Sequence, residues 1–267
     1  YIELLNSIPE LADLGEIFNS SNLIELTEKE SEYFVTCVKH ICKNTPYVIL
    51  QFNVENLMEN TLMENIAVDI EMDDELWDIE FTIPESKIEY GEAGVTFVCL
   101  KREDDVYKSD NMTCNLTFET KEVDNDGNID DDGDEDEYPL EEIDIMETDF
   151  MIPNKPIGLI QFRKIWEETG DGNEAMRKFP LTSMNNIQSA VTAVLELINM
   201  KACENGHIVP DGAQSHAVNM VGTYIGDIDI VARAGFILDA KKGHINLKIA
   251  VRSQNEELNN LLIQSIQ

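Results

Sequence analysis

Basic residues are scarce in this 267-residue chain: 19 Lys and Arg stand against 53 Asp and Glu, a net charge of -34 at pH 7. Binding to nucleic acid needs a basic surface, so this field excludes a nucleic-acid partner, and it opposes docking onto anionic lipid. No apolar run approaches the roughly 18 residues that a bilayer-spanning helix needs, so no direct membrane insertion is expected. Cysteine is sparse and has no pairing pattern. Cys37, Cys42, Cys99, Cys114 and Cys203 are odd in number and contain no C-x-x-C. His40 lies between the first two, but no second ligand pair follows at zinc spacing, so no metal site is assigned. Reduced, mostly buried thiols in a cytosolic protein are the expectation. Catalytic signatures are missing too: there is no G-x-S-x-G, no H-E-x-x-H, no P-loop and no G-x-G-x-x-G. His40, His207, His216 and His244 stand singly, with no neighbouring nucleophile to serve. Neither an enzyme nor a cofactor is expected.

The charge that is present is unevenly spread. Residues 1–150 carry 41 acidic and 8 basic residues, whereas 151–267 carry 12 and 11. Only the near-neutral C-terminal part offers an acidic partner a comfortable surface. The chain opens at Tyr1 rather than Met, so a fragment of something longer is expected. Three glycosylation-type tripeptides begin at Asn19, Asn111 and Asn115, and would be idle in the cytosol.

Residues 1–26, with Pro9, Gly15 and Asn19-Ser20-Ser21-Asn22, read as a lead-in linker. Segments rich in Val, Ile, Tyr and Phe then predict strands over 33–43, 47–54, 66–72, 77–83, 95–101 and 112–122, with a last one at Ile143 and Ile145. About seven strands without intervening helices argue for a β-sandwich over 27–150, immunoglobulin-like in size but lacking the antibody cysteine signature. The run Asp124–Glu135 invites a calcium reading. Counted from Asp124, however, the position that needs Gly is Ile129, and counted from Asn128 the closing Glu becomes Pro139. A solvated hairpin loop held open by like charges is the simpler reading, with low-affinity cation binding as the alternative.

Beyond Pro153 and Pro156 the periodicity changes. Helices are predicted over 159–168 and 185–201, the second with Ile187, Val191, Val194, Leu195 and Ile198 on one face. A loop over 204–215 and strands over 217–225, 228–238 and 245–251 follow. A closing helix carries Leu258, Leu261, Leu262 and Ile266. The fold class is therefore mainly β plus α+β, a sandwich followed by a small antiparallel α+β subdomain over 151–267. Phe162 and Trp166 sit four apart on the first helix, so both rings share one face. Pattern alone favours packing into a core; Trp at a binding hot spot is the sharper alternative.

Several stretches together carry a family resemblance. They are Tyr1-x-Glu3, Pro9-Glu10, Leu14-Gly15, Phe18 and Ser20-Ser21, then Leu26-Thr27-Glu28, Glu32-Tyr33 and Cys37-x-Lys39-His40. Gln51-Phe52-Asn53, Asn56, Leu62-x-Glu64-Asn65 and Glu135-Asp136-Glu137-Tyr138 continue the series. The C-terminal part adds Phe162-x-x-x-Trp166, Asp229-Ile230 with Arg233, and Ala250-x-Arg252-Ser253. In this order the chain resembles the C-terminal appendage of the gamma subunit of coatomer, the COPI coat. The resemblance implies a sandwich joined to a platform and a non-enzymatic, tethered arm that recruits accessory factors. It implies Arf GTPase-activating proteins as partners, other coatomer subunits reached through a missing N-terminal part, and a cytoplasmic place on Golgi membranes and COPI vesicles. It carries the binding site to Trp166, with Arg233 and Arg252 as cationic neighbours, and helix spacing adds Phe162. The sequence departs from the family at Ala232-Arg233-Ala234-Gly235, where a second basic residue is expected nearby, which puts ligand preference in question. A buried Trp166 would favour a structural module instead.

Overall fold

The run Val48-Ile49-Leu50-Gln51-Phe52 is apolar on both alternating sets of positions, so a strand there needs cover on both faces. In the computed structural model, which describes residues 1–72, 76–102, 110–124, 126–130 and 132–266, it has that cover. The chain divides into two units, Tyr1–Ile145 and Met146–Gln267.

The first unit holds helices α1 (Ile2–Ser7) and α2 (Pro9–Ala12) and strands β1 (Ile17–Ser20), β2 (Ile24–Glu25), β3 (Tyr33–Cys42), β4 (Tyr47–Asn56), β5 (Thr61–Met72), β6 (Trp77–Ile83), β7 (Glu85–Glu89), β8 (Ala93–Arg102), β9 (Asp110–Glu122), β10 (Asp134–Pro139) and β11 (Ile143–Ile145). One sheet runs β1-β3-β4-β8-β6 with β2 also on β3; the other runs β10-β9-β5-β7 with β11 also on β9. All pairings are antiparallel. Strand β9 shows the expected alternation, with Met112, Cys114, Leu116 and Phe118 turned inward.

Residues 1–26, which read as a linker, are instead folded onto this unit. Leu5, Leu11 and Leu14 join Cys42, Ile49, Phe97 and Cys99 in a second core on the outer face of the β3-β4-β8 sheet. The physical reason is that double-sided run in β4: its outward apolar positions would otherwise meet water. Strand β1 then binds His40 through the hydroxyl of Ser20, 2.8 Å from Nδ1, while Nε2 lies 3.2 Å from Gln51 Oε1. Burial holds the His40 imidazole below its ordinary pKa.

The acidic stretch is also more ordered than the hairpin-loop reading. Its second half is β10, paired with β9 from Asp134–Thr120 to Pro139–Asn115. Nearby, the Asp124 carboxylate accepts from the side chain and backbone N–H of Asn128 and from the N–H of Asp126, which pulls its pKa down. Asn125 and Asp131 of the calcium reading lie outside the described residues, and among the described residues no group of three His, Cys, Asp or Glu is placed to hold a metal ion. All five cysteines are buried and free.

The second unit contains β12 (Met151–Pro153), α3 (Leu159–Thr169), β13 (Glu174–Leu181), α4 (Ile187–Leu197), β14 (Lys201–Ala202), β15 (Ser215–Tyr224), β16 (Ile228–Asp239), β17 (His244–Arg252) and α5 (Glu256–Ser265). Its antiparallel sheet runs β12-β15-β16-β17-β13, with β14 also on β15. One face carries Ile230, Ala232, Ala234 and Phe236 of β16 beside Ile245, Leu247, Ile249 and Val251 of β17, all buried under α4 and α5. Asn186 and Asn255 cap those helices, accepting from Ser189 and Leu258 N–H at 3.0 and 3.1 Å. Strand β13 was not expected from sequence. Its Glu174-Ala175-Met176-Arg177-Lys178-Phe179-Pro180-Leu181 lacks clean alternation and contains proline, which an edge strand tolerates.

Candidate functional site

Helix α3 lies across the opposite face of the sheet from α4 and α5. Its N-terminal Leu159 N–H donates to Glu204 Oε1 at 3.0 Å, placing a carboxylate where the helix dipole favours it. Gly170 ends the helix with φ +76°, a conformation that suits glycine. Between these ends the i, i+4 spacing turns Phe162 and Trp166 to the sheet. There they pack with Cys203, Val221, Val231 and Ala250. Their rings stack at 5.8 Å with 24° between planes.

Register brings both arginines to the same place. Arg233 of β16 pairs with Ala250 of β17, and Arg252 stands two residues further along β17. The Arg233 guanidinium sits 4.2 Å from the Trp166 ring centre and 5.3 Å from that of Phe162; that of Arg252 sits 4.1 Å from Trp166. The four residues assigned to the site from sequence thus form one cluster.

Their roles within it differ. Arg252 is buried and its donors are engaged. Nε reaches Glu174 Oε2 at 2.9 Å, Nη1 reaches the Trp166 carbonyl at 2.7 Å, and Nη2 pairs with Asp171 and with Glu174. The Trp166 carbonyl belongs to the last helical turn and lacks a partner within the helix, so Arg252 caps α3 and ties it to the sheet. Arg233 is exposed and among the described residues forms no ion pair. Burial of its head against the rings lowers its pKa, with Arg252 and Arg163 adding repulsion and the more distant carboxylates of Glu174 and Glu167 opposing the shift. A guanidinium remains charged through such a shift, so Arg233 is a cation anchored on the aromatic pair.

Trp166 is only 6% exposed, and Phe162 is wholly buried. The exposed-anchor expectation for Trp166 is corrected accordingly: the indole is the platform on which two guanidinium groups lie, and packing beneath them outweighs exposure. Asp171 and Glu174 were not singled out from sequence. The signal for them was the short Asp171-Gly172-Asn173-Glu174 link after the helix end.

Residues 1–146 match a family model described as the coatomer gamma subunit appendage platform subdomain, and residues 148–266 match one described as the coatomer subunit gamma-1 C-terminal appendage platform. The chain belongs to the coatomer gamma appendage family. That family consists of coat-protein interaction modules, not enzymes. Similar coatomer gamma chains include coatomer subunit gamma-2 of Oryza sativa subsp. japonica, 35% identical over 97% of this chain and 29% of that protein. Coatomer subunit gamma of Arabidopsis thaliana is 35% identical over 96% of this chain and 28% of that protein. Coatomer subunit gamma-2 of Homo sapiens is 30% identical over 99% and 30% respectively. The chain spans under a third of the length of these curated relatives. Among the described residues of this appendage no helix is long and apolar enough to cross a membrane.

Proposed function

We propose that this appendage recruits accessory proteins of the Arf GTPase-activating class to the COPI coat through the patch built by Arg233, Trp166, Arg252 and Phe162. The observation that carries the reading is an exposed guanidinium, fixed over an aromatic pair and forming no ion pair among the described residues, on the one part of an acidic chain whose charge is balanced. Arg233 is the contact residue. Trp166 and Phe162 hold it flat, and Arg252 positions the helix that carries them. Kinship with coatomer gamma subunits supports a place beside other coatomer subunits on Golgi membranes and vesicles, where many arms on one lattice turn weak single contacts into useful avidity. Burial of Trp166 favours a second reading for that residue alone, as scaffold rather than anchor.

The test is capture of a purified Arf GTPase-activating protein by the wild-type chain, Arg233→Glu and Arg177→Glu. Arg177→Glu should stay within about 0.5 kcal/mol of wild-type stability, and Arg233→Glu, which gives up its stacking on Trp166 and Phe162, within about 1 kcal/mol. Binding lost only in Arg233→Glu supports the reading. Equal binding by all three chains would sink it.

A further inference from the structure

The buried cysteines are all free thiols, and strand topology decides which of them can meet. Cys203 belongs to the second unit and the other four to the first. Cys42 and Cys99 share the outer core of the β3-β4-β8 sheet, but β4 runs between their strands, with its Ile49 paired to Cys99. Neighbouring strands stand about 4.8 Å apart, so two spacings set these backbones about 10 Å apart or more. A disulfide spans only roughly 7 Å between Cα atoms, so this pair is out of reach.

Cys37 of β3 and Cys114 of β9 stand on different sheets of the sandwich, and both are wholly buried. Two contacts fix how their strands face each other. The Tyr33 ring meets the Phe118 ring edge-on at 4.8 Å. Further along β3, Lys39 Nζ donates to the Asp144 carbonyl at 2.8 Å, and Asp144 pairs with Asn111 near the start of β9. Side chains on one face of a strand recur every second residue. Counting from Tyr33 and Phe118 therefore sets Val35 level with Leu116 and Cys37 level with Cys114, between the two contacts. Burial pushes the Cys37 thiol up, the nearby Cys114 thiol adds to the rise, and Lys39 opposes it. Spacing within a sheet is fixed by the strands, whereas spacing between sheets follows the side chains that fill it. Two facing cysteines fill little, so β3 and β9 are free to draw together there.

We propose that Cys37 and Cys114 form a redox modification site, which a small disulfide such as oxidised glutathione closes into a cystine stapling one sheet of the sandwich to the other. The site lies within the first unit and stands whether or not Arg233 meets a partner. One thiolate attacks glutathione disulfide and releases the first glutathione. The second thiolate attacks the resulting mixed disulfide, forms the Sγ–Sγ bond and releases the other. Both electrons and both thiol protons end on the two released glutathiones. Burial holds the two thiols protonated and shields them, so exchange takes place as the chain folds or the sandwich opens. The bridge then closes the long loop between residues 37 and 114, which restricts the unfolded chain and stabilises the unit. Packing alone would leave two small apolar side chains with no bond between them.

The test unfolds the whole chain in urea and returns it to buffers running from reduced to oxidised glutathione in excess. Free thiols are then alkylated and the peptides mapped by mass spectrometry. With oxidised glutathione in excess, the peptides of Cys37 and Cys114 should be joined, while Cys42, Cys99 and Cys203 carry the alkyl label. The bridged chain should melt roughly 10 °C above the same chain treated with dithiothreitol. Cys37→Ala and Cys114→Ala should each show no such rise. If either variant fails to fold, the wild-type map still decides. Unlinked thiols in excess oxidised glutathione overturn the proposal, as does a glutathione left on either cysteine, which would mean that the second thiol does not reach. A link between any other pair, or a bridged chain that melts no higher than the reduced one, does the same.

Discussion

Replacing Arg252 by Ala tests whether this residue is a clasp. The substitution leaves the Trp166 carbonyl without a partner in a buried setting, a cost of about 1–3 kcal/mol. It removes a cation from the end of α3, about 0.3–1 kcal/mol, and a stacked guanidinium from Trp166, about 0.5–1 kcal/mol. Of the two acids it abandons, the Asp171 side chain is 94% exposed and returns to water at almost no cost. That of Glu174 is 26% exposed and recovers part of its hydration. A loss of about 2–4 kcal/mol follows, toward the lower end of what breaking a buried ion pair costs. Arg252→Lys keeps the charge but not the planar fork, so it should recover less than half of the loss. Arg233→Ala should cost below about 1 kcal/mol, since only an exposed stacking contact is lost. Urea unfolding would be followed in a Trp77→Phe background, so that fluorescence reports Trp166 and its own unit. Arg252→Ala within about 0.5 kcal/mol of wild type would refute the clasp.

Three further outcomes are expected. His40 is held below its ordinary pKa, so the unfolded chain takes up the proton first; stability is complete above pH 6.5 and falls as the pH drops below it, and His40→Gln should flatten that part of a melting-temperature profile. Burial raises the thiols of Cys42 to about 11 and of Cys99 and Cys114 to about 12, so the unfolded state deprotonates first; stability should decline from about pH 9 upward, and thiol reagents at pH 8 should react only as fast as the protein opens. Asn255→Ala removes the cap of α5 and should cost about 1 kcal/mol by thermal melt, with Asn255→Asp near wild type.

Strands with clear alternation or strongly apolar runs were legible. Tyr33–Cys42, Tyr47–Asn56 and the three long platform strands lie within a few residues of the expected spans. The strands that sequence missed share one property: they are edges. Ile17–Ser20, Glu85–Glu89, Asp134–Pro139 and Glu174–Leu181 each flank a sheet, where one side is solvated and neither propensity nor alternation has to be strong. Residues 1–26 were misread for a related reason. Leu5, Leu11 and Leu14 are too widely spaced to register as a periodic face, yet each meets the outer side of β4. At the site, helix spacing correctly paired Phe162 with Trp166, and strand order correctly brought Arg233 near Arg252. The helix pattern alone favoured packing both rings into a core, which is what they do, and the exposed anchor came from the resemblance. How completely they are covered depends on Val221, Val231 and Ala250 rising from the sheet to meet them. The division of labour between the arginines was not legible, because it turns on Glu174 in a strand that sequence did not show.

Hydrogen exchange of the chain with and without a purified Arf GTPase-activating protein tests the central claim most directly. The account predicts added protection in Leu159–Thr169, Glu174–Leu181 and Ile228–Asp239, abolished by Arg233→Glu. Protection confined to the sandwich strands, or unchanged by that substitution, would contradict it.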